Sequence, residues 1–282
     1  ASEILVVLAD GRELPATIQG VDERTDLAVL KVKSDTPLVP VVFGDSEAAR
    51  VGDWVVAVGN PFGLGGTFTA GIISARGRDI QSGPYDDFFQ IDAPINRGNS
   101  GGALFNVAGE VVGVNTAIFS PNGGNVGIGF AVPSNQAAAV VADLVKSGRV
   151  ARGWLGVTIQ PLNAELAQAL GLDVARGALV NAVTEPSPAH AAGLRPGDVI
   201  AAIDGKQVTA TREVSRRVAA AGAKAELDLT VWRDAQSMKI LVQLEELATV
   251  ARQEQGSGEP TLSNPLLGLT LAPLEDSERA GP

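Results

Sequence analysis

Residues 1–132 carry a succession of short apolar runs that are separated by turn signals and show no helical period. Residues 55–59 form a continuous apolar run that is closed by Asn60-Pro61, as expected of a buried strand. Asp10-Gly11 lies between two further runs and is a hairpin signal. The chain has 33 glycines and only 4% aromatic residues, which suits many tight turns. This pattern predicts a mainly β first half, either a barrel or a sandwich.

Residues 135–147 are the first convincing helix. Ser134 is a suitable N-cap, and Gly148 stands where a C-terminal glycine is expected. One face of this helix is apolar, at positions 137, 140, 141, 144 and 145. A helix that follows the last strand of an all-β unit is a natural end for a domain. We therefore predict a first domain over residues 1–150.

Residues 151–247 alternate strand-like and helical segments, among them a strand over residues 155–159, and predict a mixed α/β unit. Residues 248–263 are polar, contain Gly-Ser-Gly and are typical of a linker. Residues 155–162 recur as residues 267–274, with five of eight positions identical. The repeat predicts that residues 264–282 begin a second copy of the α/β unit.

Charge and composition exclude several function classes. The formal net charge is −10, so no basic stripe is available for nucleic acid. Cysteine does not occur, which excludes disulfides and thiol catalysis. His190 is the single histidine, so a zinc or copper site is not expected. No metal or cofactor is predicted.

The segment Gly98-Asn99-Ser100-Gly101-Gly102 is the strongest chemical signal. A nucleophilic serine on a tight turn needs such glycines, which permit unusual backbone angles and a close substrate carbonyl. The alternative to a catalytic role is that this segment is only a glycine-rich turn that happens to contain a serine. Such a serine also needs a base, usually histidine, and His190 lies ninety residues further on in the second unit.

Four segments together resemble the HtrA/Deg serine proteases, the ATP-independent quality-control proteases of bacterial envelopes. The similarity runs from about residue 3 to 245, and the segments that carry it are residues 24–28 (RTDLA), 60–64 (NPFGL), 97–104 (RGNSGGAL) and 127–133 (GIGFAVP). The resemblance implies a chymotrypsin-like double β-barrel, without its N-terminal strands here, followed by PDZ domains.

The resemblance also implies roles for individual residues. Ser100 matches the nucleophile, and Asp26 matches the carboxylate that orients the base. The backbone N–H groups of Gly98, Asn99 and Ser100 match the oxyanion-hole loop. From the sequence alone, an acid in the segment of residues 22–26 is more often a solvated turn residue or a cap than a catalytic group.

The catalytic histidine has no match in this sequence. In the family the base lies upstream of the segment that matches residues 1–15, and nothing precedes Ala1 here. His190 matches the short helix of a PDZ domain and is interpreted as structural. We therefore expect that the 282-residue chain by itself does not cleave protein substrates.

Specificity and regulation are implied in the same way. Ile95, Ile118 and Ile128 match the lining of the S1 pocket and would favour small aliphatic P1 residues. Arg78 matches an arginine of the regulatory loop that couples PDZ occupancy to the active site. The alternatives are plain barrel core for the isoleucines and a surface salt bridge for Arg78.

The unit over residues 151–247 resembles a bacterial PDZ domain. Its carboxylate-binding loop and first groove strand match Arg152, Gly153, Trp154, Leu155, Gly156 and Val157. Residues 193–200 match a second characteristic run, and we interpret residues 211–221 as the helix that closes the groove. Trp154 and Leu155 could instead serve packing only.

The leading hypothesis is a periplasmic serine endopeptidase that degrades unfolded or misfolded proteins and senses exposed C-termini through its PDZ units. The alternative is a non-catalytic chaperone or scaffold that binds misfolded proteins. The resemblance further implies a homotrimer built through the protease domain, and larger cages.

Overall fold

A computed structural model describes residues 4–61, 65–121 and 123–247, together with the backbone of residues 262–264 and 269–271. The chain divides into two compact units, residues 1–150 and residues 151–282. Each unit is described by itself. Phe62, Gly63 and Leu64 of the second resemblance segment lie outside the described residues, as does most of the predicted linker and second repeat.

The first unit is mainly β, as the short apolar runs predict. Its described elements are β1 (Ile4–Val7), β2 (Glu13–Asp22), β3 (Leu27–Val32), β4 (Trp54–Gly59), β5 (Thr67–Arg78), β6 (Phe88–Ile91), β7 (Ala103–Asn106), β8 (Val111–Ile118), β9 (Gly129–Pro133) and α1 (Ser134–Ser147).

The barrel alternative is the correct one. Strands β4, β5, β6, β9, β8 and β7 close into a barrel in that order, and β7 pairs back onto β4. Buried and more exposed side chains alternate along β4, whereas β9 is buried throughout. The buried core comprises Val55, Ala57, Ile73, Phe89, Ile91, Ala93, Ile95, Leu104, Val112 and Ala131. The strands β1, β2 and β3 form a separate three-stranded antiparallel sheet, with the predicted turn at Asp10-Gly11 between β1 and β2.

The start of α1 differs from the prediction. Pro133 occupies the N-cap position, and Ser134 is the first helical residue. The Ser134 hydroxyl is buried and donates to the carbonyl of Gly44 at 2.6 Å instead of capping the helix. The helix ends as predicted, since Gly148 has φ 73° and its N–H bonds to Leu144. The serine therefore connects the helix to the segment before the barrel.

The second unit mixes strands and short helices. Its described elements are β10 (Gly153–Trp154), β11 (Val157–Pro161), α2 (Ala164–Ala169), β12 (Ala178–Val183), α3 (Pro188–Ala191), β13 (Val199–Ile203), β14 (Lys206–Gln207), α4 (Thr211–Ala221), β15 (Glu226–Arg233), β16 (Gln236–Gln243), β17 (Glu245–Glu246), β18 (Leu262–Asn264) and β19 (Leu269–Leu271).

The main sheet of this unit leaves one strand edge open. Its order is β11, β12, β13, β15, β16, while β14 pairs with β13 and β10 pairs with β17. Within the described residues, β11 pairs with β12 alone and so lies at the edge of the sheet. Helix α4 packs against β10 and also contacts β11. The result is a groove between an open strand edge and a helix.

The predicted strand over residues 155–159 is wrong at its start. Leu155 and Gly156 lie between β10 and β11, because Gly156 adopts φ 85° and breaks the extended chain. A Cβ at Gly156 would lie 2.3 Å from Cβ of Ser187, so the position also needs glycine for space.

No helix in the described part of the chain is both long and apolar enough to cross a membrane.

Candidate active site

Ser100 lies on the loop between β6 and β7, at the surface of the first unit. Its hydroxyl donates a hydrogen bond to the carbonyl of Thr116 at 2.8 Å. Thr116 belongs to β8, so the nucleophile candidate is attached to a strand of the closed barrel. This bond fixes the direction of the side chain.

Backbone contacts hold the loop on both sides of Ser100. Gly101 donates its N–H to the carbonyl of Asn115 at 2.8 Å, and Asn115 donates its own N–H to Gly102 at 2.9 Å. A Cβ on Gly102 would lie 1.9 Å from the carbonyl oxygen of Val58, so only glycine fits against β4 there. The buried Asn115 side chain also donates to the carbonyls of Val58 and Ala103, at 3.4 Å each. The loop is therefore supported by three barrel strands.

Of the three backbone N–H groups predicted for the oxyanion hole, two are available to donate a hydrogen bond to a bound ligand. The Asn99 N–H is already bonded to the carbonyl of Asn96 at 3.1 Å. The N–H groups of Gly98 and Ser100 have no hydrogen-bond acceptor among the described residues. Gly98 adopts φ 99°, which an L side chain rarely adopts. Unpaired amides on a tight turn are the arrangement that stabilises an oxyanion.

Asp26 joins this site through Thr116. It lies in the turn between β2 and β3 with φ 55°, and its Oδ2 accepts a hydrogen bond from Oγ1 of Thr116 at 3.0 Å. Thr116 thus contacts Ser100 through its carbonyl and Asp26 through its hydroxyl. Ser100 and Asp26 are 74 positions apart in the sequence, and the fold brings both to one residue.

His190 belongs to the other compact unit. It lies in α3, is about half exposed, and its Nε2 is 3.5 Å from Oε1 of Glu185. Its backbone N–H is bonded to the Ser187 hydroxyl, which caps this short helix. These contacts are those of a surface helix residue.

The three isoleucines are distributed over two clusters. Ile95 is only 1% exposed in the barrel core, and Ile118 packs against the same cluster. Ile128 packs instead against the cluster of Phe88 and Phe130. The structure thus brings Ile95 and Ile118 together and places Ile128 beside a neighbouring cluster.

Arg78 is the last residue of β5. Its Nε donates to Oε1 of Gln90 at 2.8 Å, across the pairing of β5 with β6. The alternative interpretation of Arg78 was a surface salt bridge. This bond is not a salt bridge, because glutamine carries no charge.

The groove of the second unit has an apolar floor. Val157 and Ile159 of β11 pack against the buried cluster that contains Leu155, Val214 and Val218, the last two from α4. The carbonyls of Leu155 and Gly156 accept the N–H groups of Ala189 and Thr184. The N–H groups of the same two residues have no acceptor in the described part of the chain. Two such amides beside an open strand edge could hold a peptide carboxylate.

Arg152 does not stand free at the mouth of this groove. It is buried, and its carbonyl accepts the N–H of Leu247. Trp154 pairs with Glu245 in the short β10–β17 ladder and is partly buried.

Comparisons with known proteins place the chain in a family. A model of the trypsin-like peptidase domain matches residues 1–114, and a model of the PDZ domain matches residues 153–244. The solved structure "HtrA-type protease AlgW with decapeptide" is 44% identical, with 87% of this chain and 76% of that chain covered and a TM-score of 0.72. The chain belongs to the HtrA/Deg family of serine proteases.

Other HtrA/Deg proteins give the same result. A solved serine endoprotease from Yersinia pestis is 36% identical, with 88% of this chain and 81% of that chain covered and a TM-score of 0.61. A protein of Rhizobium meliloti (strain 1021) named "Probable periplasmic serine endoprotease DegP-like" is 52% identical over 98% of this chain and 57% of its own length. A Brucella suis protein of the same name is 50% identical, over 97% of this chain and 54% of its own length. The chain spans little more than half the length of these curated relatives.

Thr116 is the site residue of this HtrA/Deg chain that the sequence analysis missed. It sits inside an apolar strand, and nothing local distinguishes its hydroxyl from that of any other strand threonine. The only available signal was its position directly after Asn115, a polar residue in a run that the pattern buries.

Proposed function

We propose that the full-length protein is a serine endopeptidase of envelope protein quality control. It degrades unfolded or misfolded proteins in the periplasm, where the names of its curated relatives place them. The observation that carries this proposal is the hydrogen-bonded connection from Ser100 through Thr116 to Asp26. A non-catalytic scaffold would have no use for it.

In the proposed reaction, the Ser100 hydroxyl oxygen attacks a peptide carbonyl while its proton passes to a histidine imidazole. The carbonyl oxygen becomes negative and is stabilised by the N–H groups of Gly98 and Ser100. The imidazolium then gives its proton to the leaving amine as the peptide C–N bond breaks. Water hydrolyses the resulting acyl-enzyme by the same route in reverse.

The proposed reaction needs a histidine base, and His190 is the single histidine of the 282 residues. His190 lies in the PDZ unit, and its near neighbour is Glu185. We propose that the full-length protein supplies a histidine ahead of Ala1, beside Asp26. The 282-residue chain would then be inactive by itself.

A fluorophosphonate probe tests the proposal, because it modifies only an activated serine. We expect the full-length protein to be labelled and mass spectrometry to locate the label on Ser100. The variant Ser100→Ala should show none, with the melting temperature unchanged. The 282-residue chain should also stay unlabelled. A full-length protein that folds but does not react would leave the scaffold as the better interpretation.

The second unit is proposed to recognise C-terminal peptides. The open edge of β11 and the unpaired amides of Leu155 and Gly156 support this, since an added peptide strand could place its carboxylate at those amides. One solved relative is described with a bound decapeptide.

We expect a peptide with a free C-terminal carboxylate to bind the chain at least about tenfold more tightly than its C-terminal amide, because charge-assisted hydrogen bonds are lost. The variant Gly156→Ala should lose binding, because its Cβ would collide with Ser187. Gly193→Ala is the matched control, with φ 80° but no atom within 4 Å of the new Cβ. Fluorescence polarisation measures both. Equal affinities for acid and amide would contradict the proposed groove.

We also propose that the protein assembles as a homotrimer through its first unit. An apolar stripe on the outside of the barrel supports self-association. Cross-strand neighbours form it: Trp54, Val56, Val58, Phe68, Ala70 and Phe105. Trp54 is 63% and Phe68 is 71% exposed, more than a solvated surface normally leaves for such side chains. The mass in solution, by analytical ultracentrifugation of the full-length protein, tests this.

A further inference from the structure

Asn125 lies in the loop between β8 and β9 and makes three hydrogen bonds. Its Nδ2 donates to the carbonyl of Ile95 at 3.0 Å. Its backbone N–H donates to Oδ1 of Asn96 at 3.3 Å. Its Oδ1 accepts the N–H of Gly127 at 2.8 Å. Two of these bonds reach the segment just before the nucleophile loop, and the third closes a turn within its own loop.

These bonds connect two segments that lie far apart in the sequence. Ile95 and Asn96 lead directly into Gly98 and Ser100, whereas Asn125 is thirty positions away from Ile95. At its base, the second loop is closed by the N–H of Phe119, which donates to Ile128 at 3.0 Å. The chain has no cysteine, so a disulfide cannot hold the two segments together. We call the two bonds from Asn125 to Ile95 and Asn96 the Asn125 clasp.

We propose that the Asn125 clasp is a positioning device that sets the P1 specificity of the protease. This inference rests on the proposed endopeptidase function and on an S1 cleft between Ile95, Ile118 and Ile128. Ile95 belongs to one of the segments that the clasp joins, and Ile128 ends the other. The clasp therefore sets how far apart these two walls can move.

The physical need for such a device follows from how weakly apolar pockets discriminate. One methylene group changes the kcat/KM of a substrate in a hydrophobic pocket by only about 10- to 200-fold, provided that the pocket keeps its width. Ile95 is 1% exposed and packs in the barrel core, so the barrel fixes the wall that carries it. Ile128 packs against a different cluster, so the distance between the two walls depends on what joins their segments. A wall that could swing outward would admit larger side chains and lose that discrimination.

Two substitutions separate the clasp from the local turn. Asn125→Asp keeps an oxygen that accepts the Gly127 N–H, but it replaces the donor to Ile95 with a second acceptor. Asn125→Ala removes both side-chain bonds. If the residue serves only its own turn, the aspartate variant should behave like the wild type. If it clasps the two segments, both variants should have the same defect.

Asn106→Asp is the matched control. The Asn106 side chain accepts the N–H groups of Ala108 and Glu110 and donates to the Glu110 carboxylate at 2.9 Å. It therefore holds a turn of the same barrel by the same kinds of bond, at the β7–β8 connection. Its loss should lower stability without changing specificity.

The experiment uses the full-length protein and two fluorogenic peptides that differ only in valine or phenylalanine at P1. We expect the ratio of kcat/KM for valine over phenylalanine to fall about tenfold in Asn125→Asp and Asn125→Ala. The ratio should stay unchanged in Asn106→Asp. The rate of labelling by a small fluorophosphonate, which carries no P1 side chain, should be retained in all three variants.

The outcomes distinguish the two proposals. A wild-type protein that is never labelled overturns the endopeptidase function, and the specificity role with it. Normal labelling with an unchanged P1 ratio in both Asn125 variants overturns the clasp alone. A ratio that changes in Asn125→Ala but not in Asn125→Asp assigns the effect to the local turn and also overturns the clasp.

Discussion

Replacing Gly98 with alanine should lower kcat/KM of the full-length protein by about a thousandfold, the upper part of the range for loss of one oxyanion-hole donor. The new Cβ would lie 2.3 Å from the carbonyl oxygen of Asn60 and 2.9 Å from Cα of Pro61. Both are backbone atoms that cannot rotate away. Gly98 also has φ 99°, which alanine adopts only under strain.

The loop must therefore shift, and the N–H groups that face the oxyanion shift with it. The carbonyl of Gly98 also accepts the N–H of Asn60 at 3.1 Å, so the displacement breaks a bond that connects the loop to the end of β4. Initial rates on a peptide substrate and the rate of fluorophosphonate labelling should fall together. Both follow from the same displaced amides.

Gly109→Ala is the control for backbone strain. Gly109 has φ 79° in the β7–β8 turn, and a Cβ there meets no atom within 4 Å. This variant should lose about 1 kcal/mol or slightly more of stability and keep its activity. Equal activity losses in the two glycine variants would mean that strain alone, and not the position of the amides, explains the effect.

Replacing Asp198 with alanine should lower the free energy of unfolding of the second unit by about 3–5 kcal/mol, the cost of breaking a buried ion pair. Asp198 is 1% exposed, and its carboxylate accepts Nε and Nη2 of Arg233 at 2.6 and 2.7 Å. It also accepts the N–H of Arg195 at 2.8 Å. The Asp198 hydrogen bond raises the pKa of the Arg233 guanidinium. Arginine stays charged in proteins even without such a partner, so removal of Asp198 leaves this guanidinium charge without its carboxylate.

The unfolding is measured by urea denaturation, followed by the fluorescence of Trp232, which lies next to Arg233 and donates to the carbonyl of Leu170. Lys239→Gln provides the comparison. Lys239 pairs with Asp228 at 2.6 Å, but the lysine side chain is 75% exposed, so its loss should cost less than about 1 kcal/mol. Similar losses in both variants would contradict the distinction between the buried and the exposed pair.

The strands of both units could be predicted because their signal is local. The run at residues 55–59 appears as β4, Trp54–Gly59. Glycine and proline mark the ends of such runs by backbone sterics, which require no knowledge of distant residues. The sequence left a barrel and a sandwich equally open, because closure depends on the pairing of β7 with β4 across nearly fifty residues.

The features that the sequence did not predict correctly have one physical cause in common, which is a contact between residues far apart in the sequence. Serine is a common N-cap residue, yet the Ser134 hydroxyl donates its hydrogen bond to the carbonyl of Gly44, ninety positions away. Thr116 joined Asp26 across the same separation. Gly156 interrupted an apolar run because it must approach Ser187. In each case a tertiary neighbour decided between local options of similar energy.

Ser100 and Asp26 were named from the family resemblance, and the structure adds how they are connected. A sequence can identify a serine with glycines around it. It cannot identify the acceptor of that serine's hydroxyl, because the Thr116 carbonyl is a backbone group that every residue possesses.

The hydrogen bond from Ser100 to Thr116 also suggests how a bound peptide could change the direction of the serine hydroxyl. Within the described residues the hydroxyl proton is directed at the Thr116 carbonyl. A peptide strand lying along β8 that donates its own N–H to the Thr116 carbonyl would compete with the hydroxyl for that acceptor and turn it toward the imidazole. Arrival of the substrate and release of the serine would then be a single exchange of hydrogen-bond partners.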